Sequence, residues 1–252
     1  MKKIIAGTLL SFLVCAAQAQ ETDVLQLFAC NFAEGKNVEN LWETIDTIKS
    51  LDSEAASDEA AGSFIWLPFR SGMGYDYVWG IIDSDLKSMA RGEEAFISSG
   101  NARIMGPRFA ALGDCIGSIN LTEPIKTGVI GTGEDRNPDA VVETFTCNHL
   151  NGADMDDVRK ATDFWKTQID KMGSEAFESY DAVLMLPFRG GSGEWDWAWI
   201  GTNPNLMNFA ETSEDYLASA GGAAADARFA AISRCKSALW QGYWINAPAN
   251  RM

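Results

Sequence analysis

The sequence predicts an α+β chain made of two tandem copies of one strand–helix–strand–strand–helix–strand unit. Three observations predict it. Blocks of sequence occur twice, the hydrophobic period switches in the same order in both copies, and four cysteines stand at matched places in the two copies.

The duplication is read directly. FACNFAEGK from Phe28 aligns with FTCNHLNGA from Phe145, and LPFR at Leu67 with LPFR at Leu186. YDYVW at Tyr75 aligns with WDWAW at Trp195, and RFAALGDC at Arg108 with RFAAISRC at Arg228. The offset drifts only from 117 to 120 along these pairs, so the halves align with few insertions. A repeat of this length marks one structural unit written twice. The units are expected at residues 20–121 and 141–252, with 122–140 as a linker rich in Gly, Pro and charge. Gly128, Gly131 and Gly133 in that linker lack the following Lys-Ser/Thr and helical pattern of a phosphate loop.

Each element has its own signal. Residues 24–32 alternate in polarity like a strand. Val38, Leu41, Trp42, Ile45 and Ile48 recur at helical spacing, as do Met155, Val158, Trp165, Ile169 and Met172 in the second copy. Residues 64–69 and 75–82 are β-rich runs around a glycine loop, which predicts a hairpin. Leu86, Met89, Ala90, Phe96 and Ile97, mirrored by Leu206, Phe209, Ala210, Tyr216 and Leu217, predict a second helix. A last strand is expected to begin near Cys115 or Cys235. The order is β-α-β-β-α-β, the ferredoxin-like motif.

In that motif the sheet order is 4-1-3-2, so the end of strand 1 lies beside the start of strand 4. Cys30 and Cys115 occupy those places, as do Cys147 and Cys235, which predicts one disulfide within each unit. Pro68 and Pro187 fall in strand 2, an edge in this order, where proline is tolerated.

The first nineteen residues are expected outside the fold. Lys2 and Lys3, an apolar run and Ala17-Gln18-Ala19 make a secretory signal cut after Ala19. A lipidated Cys15 is disfavoured by the bulky Val14 before it. Periplasmic or secreted location follows, and the even count of remaining cysteines suits an oxidising compartment. Removing the two lysines takes the net charge from −15 to near −17. That balance excludes nucleic acid and anionic membrane as expected partners, since both need clustered cations. Residues 52–63 read as an exposed acidic loop.

Two tandem ferredoxin-like units resemble the dimeric α/β-barrel superfamily, and the resemblance covers nearly the whole processed chain. It implies an intramolecular barrel of two such sheets. It also implies pockets between each sheet and its helices, and activities that include cofactor-independent monooxygenation and haem chemistry. Some of those monooxygenases use Asn, Trp and Arg near an aromatic substrate. Here the matching residue types are Asn31 and Asn148, Trp66, Trp79, Trp197 and Trp199, and Arg70 and Arg189.

The candidate ligand-binding residues are Asn31, Arg70, Asp76, Trp79, Asn148, Arg189, Asp196 and Trp199. Arg70 and Asp76, like Arg189 and Asp196, either close the hairpin as an ion pair or line a pocket in which the arginine holds an anion. Alternation would put Tyr75, Tyr77 and Trp79 on one face, and Trp195, Trp197 and Trp199 on its counterpart, as barrel interior or as a stacking wall. His149 is the single histidine, which excludes multi-histidine metal sites and a Ser-His-Asp triad in each unit. No metal and no cofactor are expected, haem through His149 being the alternative. The sequence thus points to an exported binder of a small aromatic or anionic molecule. Its catalytic version is monooxygenase-like or isomerase-like, with no catalytic residue assigned. The other reading is a structural or assembly protein, with a homo-oligomer possible under either.

Overall fold

The computed structural model describes residues 23–51, 62–128 and 136–246. The signal segment, Cys15 and nearly all of the acidic loop lie outside the described residues. The first unit runs β1 (Val24–Phe32), α1 (Val38–Ser50), β2 (Gly62–Ser71), β3 (Tyr77–Asp83), α2 (Leu86–Ser98), α3 (Asn101–Leu112) and β4 (Gly113–Lys126). The second runs β5 (Ala140–His149), α4 (Met155–Met172), β6 (Asp181–Gly190), β7 (Trp197–Asn203), α5 (Leu206–Ala218), α6 (Ala220–Ile232) and β8 (Ser233–Asn246), with a 3-10 turn at Glu175–Glu178.

Two elements differ from the expectation. The second helix of each unit is a pair of helices. In the first unit the break falls at Gly100, whose φ of 85° suits a residue without Cβ. In the second it falls at Ser219, which caps α6 by accepting from Gly222 N. The stretch expected as linker also begins later, because Thr122–Lys126 continues β4 and pairs with β6. The alternation of that segment is masked in the sequence by Pro124 and the charges around it.

Each unit has the expected sheet order, 4-1-3-2. The two sheets then join into one closed barrel, β1-β3-β2-β8-β5-β7-β6-β4. Strand 2 is therefore the edge of its unit but not of the molecule. Antiparallel pairing of β2 with β8, and of β4 with β6, closes the ring. The repeated Leu-Pro-Phe-Arg block sits at both joins. Pro68 lies opposite Trp240 and Pro187 opposite Asn120, and each ladder slips register there, between Pro68 and Arg70 and between Arg189 and Pro187. A bulge is where a central strand can hold a proline.

Three apolar clusters follow. Leu25, Phe64, Trp66, Val142, Met185 and Trp240 fill the barrel, with Phe64 stacked on Trp66 at 4.8 Å. Tyr77, Trp79, Leu41, Trp42 and Ile45 pack the first sheet against its helices, and Trp165, Trp197, Trp199 and Val158 do so in the second. Both first helices start at a capping box, on Asn37 and Asp154. Each first helix also meets the last strand of the other unit, by different chemistry. Trp42 lies edge-on to Tyr243 at 5.3 Å, whereas Arg159 in the corresponding place bonds Glu123 through both oxygens at 2.9 and 2.6 Å.

Both expected disulfides are present, Cys30–Cys115 and Cys147–Cys235, each between directly paired residues of neighbouring strands. Cys30 and Cys115 are 85 residues apart, and closing such a loop in the unfolded chain is worth about 4 kcal/mol on the chain-entropy model. Replacing both with alanine is expected to lower unfolding free energy in urea by an amount of that order. An unchanged midpoint would contradict the account.

Candidate functional site

A cavity of about 330 Å³ lies between the outer face of the second sheet and helices α4, α5 and α6. Its walls are aromatic: Phe145 on β5, Trp165 on α4, Phe177 in the 3-10 turn, Trp197 and Trp199 on β7, and Phe229 on α6. Trp165 meets Trp199 edge-on at 4.8 Å. Period-two alternation explains the strand contribution, since Glu143, Phe145 and Cys147 share one face of β5, and Trp197 and Trp199 one face of β7.

One line of polar groups enters this apolar space. Trp199 Nε1 donates to the Tyr180 hydroxyl at 3.1 Å, and that hydroxyl donates to Glu143 Oε1 at 2.8 Å. Glu143 Oε2 has no protein partner among the described residues. Glu143 is partly buried at the cavity wall, and burial pushes its carboxyl above the ordinary range, partly offset by the Tyr180 hydrogen bond. Burial and the neighbouring Glu143 push the Tyr180 phenol well up. The line depends on Gly201, where a Cβ would collide with the Tyr180 hydroxyl. Toward the exposed side, the Tyr216 hydroxyl donates to Asp226 Oδ1 at 2.8 Å, and burial with this carboxylate raises the Tyr216 pKa. Trp197 also lines the cavity, and its buried indole N–H has no partner. Cys147 and Cys235 complete the wall.

The first unit lacks these groups. At the offsets of the repeat, Glu143 corresponds to Gln26, Tyr216 to Phe96, Thr212 to Gly92 and Asp226 to Gly106. Gln26 instead donates to the buried Asp83 at 3.3 Å.

The expected site residues divide. Trp199 lines the cavity, and Trp79 is its equivalent in the first unit, packed edge-on to Phe109 at 5.3 Å. Asn31, Arg70, Asp76, Asn148, Arg189 and Asp196 are exposed at the hairpin ends of the sheets. The expected Arg–Asp ion pairs do not form. Arg70 and Arg189 each donate to the preceding phenylalanine's carbonyl and stack on its ring, at 4.9 and 4.4 Å. The aspartates accept from the backbone at the end of the first strand: Phe32 N to Asp76 Oδ2 and His149 N to Asp196 Oδ2, both 2.8 Å. Asn148 Nδ2 adds a bond to Glu194 O at 3.0 Å. A carboxylate satisfied by a main-chain N–H beside it has little reason to reach across a glycine loop. The three-aromatic faces also split, because Trp195 precedes β7 and packs toward the barrel interior with Trp66.

Sequence reasoning missed Glu143, Tyr180, Tyr216 and Asp226. The available signal was Glu143 itself, a carboxylate on the same alternation face as Phe145 and Cys147.

His149 does not line this cavity, and its buried Nδ1 has no partner. The cavity wall offers no histidine, methionine or free thiol, and its phenols have raised pKa values. These residues do not fit a haem held through His149. Among the described residues no group of three or more His, Cys, Asp or Glu could hold a metal ion.

No family model matches the sequence, and no curated protein matches it. Solved structures do match in shape. A monooxygenase candidate from Lactobacillus acidophilus NCFM superposes with a TM-score of 0.55 at 11% identity, covering 90% of this chain and 98% of its own. One from Fusobacterium nucleatum gives 0.54 at 10%, covering 90% and 95%. An anthrone oxidase-like protein gives 0.51 at 12%, covering 90% and 94%. At such identities the likeness shows the fold alone.

The raised Glu143 pKa has a signed consequence. Its favourable contribution is fully present below the unfolded value, about 4.3, and is lost as pH rises through the folded one. Glu143→Gln is therefore expected to gain stability over the native protein as pH rises to 8, with no gain at pH 4. Chemical denaturation across that range checks it, and a gain confined to low pH would contradict the sign. In its fold, the chain is a dimeric α/β barrel closed within a single polypeptide.

Proposed function

We propose that this protein binds a small aromatic molecule in the cavity of its second unit, and does so outside the cytoplasm. The observation that carries the reading is the aromatic-walled cavity of about 330 Å³ with one polar line inside it. Ligand pockets have this make-up, an apolar lining with a few placed polar groups. The two disulfides and the amino-terminal signal pattern support export. The likeness to monooxygenase candidates supports, as the catalytic version, oxygenation of the bound molecule. Arg70 and Arg189 are available to an anion only at the surface, because no Lys, Arg or His lines the cavity.

One observation favours assembly as a second reading. Leu86 and Ile97 on α2 are 38% and 63% exposed, and their repeat equivalents Leu206 and Leu217 on α5 are 48% and 76% exposed. Apolar side chains exposed in duplicate suit a contact surface.

Ser213 lies on α5 at the cavity wall, where tryptophan would fill the space. Ser213→Trp is expected to weaken binding of indole- and naphthalene-sized probes by about tenfold or more, with melting unchanged. Tryptophan fluorescence titration reads the affinity. Equal affinity in both proteins would refute the cavity as the site, and a probe-inert protein of defined oligomeric size would favour assembly.

A further inference from the structure

The polar groups of the cavity carry more than a preference for aromatic ligands. Its lining holds two carboxyl side chains, the partly buried Glu143 and the exposed Asp226, and two phenols, Tyr180 and Tyr216. No cationic side chain faces them from β5, β7, α4, α5 or α6 along this wall. An aromatic carboxylate or phosphate entering here would meet carboxyls without a counter-charge, inside a chain of net charge −15. The anionic part of the expected ligand class therefore does not suit this cavity.

A cation suits it on three independent grounds. Glu143 Oε1 is held by the Tyr180 hydroxyl at 2.8 Å, which fixes the carboxyl and leaves Oε2 without a protein partner. Trp165, Trp197, Trp199, Phe145 and Phe229 line the same cavity as the carboxyl. Aromatic walls attract ammonium groups through the ring quadrupole, most strongly where water is excluded. Asp226 is an exposed carboxyl on the same lining, so the cavity carries acidic groups both at its surface side and against its aromatic wall.

We propose that the cavity is an amine site: it takes a small aromatic amine in its ammonium form, with the ammonium on Glu143 Oε2 and the ring among Trp165, Trp197 and Trp199. The proposal rests on the cavity being the binding site, as argued above. The first unit bears on it by contrast. Gln26 occupies the position of Glu143 and donates to Asp83, so the first unit has an amide where the second has a carboxyl. The ammonium supplies Glu143 with the partner that the protein does not.

Three probes of similar size separate the outcomes: tryptamine, the neutral 3-(2-hydroxyethyl)indole and indole-3-propionate. Calorimetric titration into the full disulfide-bonded protein is expected to rank tryptamine at least about tenfold above the neutral probe, with the carboxylate weakest. Glu143→Gln should erase the preference for tryptamine while leaving affinity for the neutral probe and the melting temperature unchanged or raised. Neutral and amine probes binding equally to the native protein would overturn the amine site and leave the aromatic cavity standing. No binding by any of the three, or binding that survives Ser213→Trp, would overturn both. A preference for tryptamine that persists in Glu143→Gln would overturn the role of Glu143.

Discussion

A four-stranded sheet of order 4-1-3-2 leaves two open edges, and an open edge is a row of backbone donors and acceptors without partners. Each unit of this chain has that problem, and each solves it with the other. Pairing β2 with β8 and β4 with β6 closes the ring and abolishes the edges. Much of the remaining structure depends on this closure. It creates an interior that Trp66 and Trp240 fill, and it makes the outer faces available to helices. The repeated Pro-Phe-Arg block belongs to the joins, where the proline sits at a register slip and the arginine folds back on its own phenylalanine.

Because closure is symmetric and the interior is shared, the outer faces were free to diverge. The joins themselves already show divergence, with Trp42 on Tyr243 at one and Arg159 on Glu123 at the other. The larger difference lies beneath the helices. On the first unit, Gln26, Gly92, Phe96 and Gly106 stand where the second has Glu143, Thr212, Tyr216 and Asp226. The second unit accepts a partly buried carboxyl whose pKa burial raises, which costs stability at higher pH. Groups that disfavour folding in this way are a feature of binding and catalytic sites, where a ligand compensates them.

Much of the fold was legible because its signals are local and occur twice. β1 was bounded to the residue, and the cysteine pairs followed from strand order, since Cys30 and Cys147 end strand 1 where Cys115 and Cys235 begin strand 4. The division of the second helix was not legible, because Gly100 and Ser219 interrupt a continuous apolar pattern without a proline. Trp199 was the part of the candidate site that could be read, as it stands in the repeat. Residues preserved in both copies, Asp76 and Asp196 above all, fasten loops common to the fold, whereas the cavity's polar groups lie where the copies differ. Tyr180 has no readable counterpart, and its approach to Glu143 across β5 and β7 depends on Gly201, a contact that no sequence spacing reports.

The central claim is that duplication made two similar outer faces and that one of them became a site. Native mass spectrometry of the disulfide-bonded protein, equilibrated with a saturating aromatic amine, counts the sites directly. One ligand bound per chain is the predicted result. Two per chain, one for each repeat, or none at all, would contradict it.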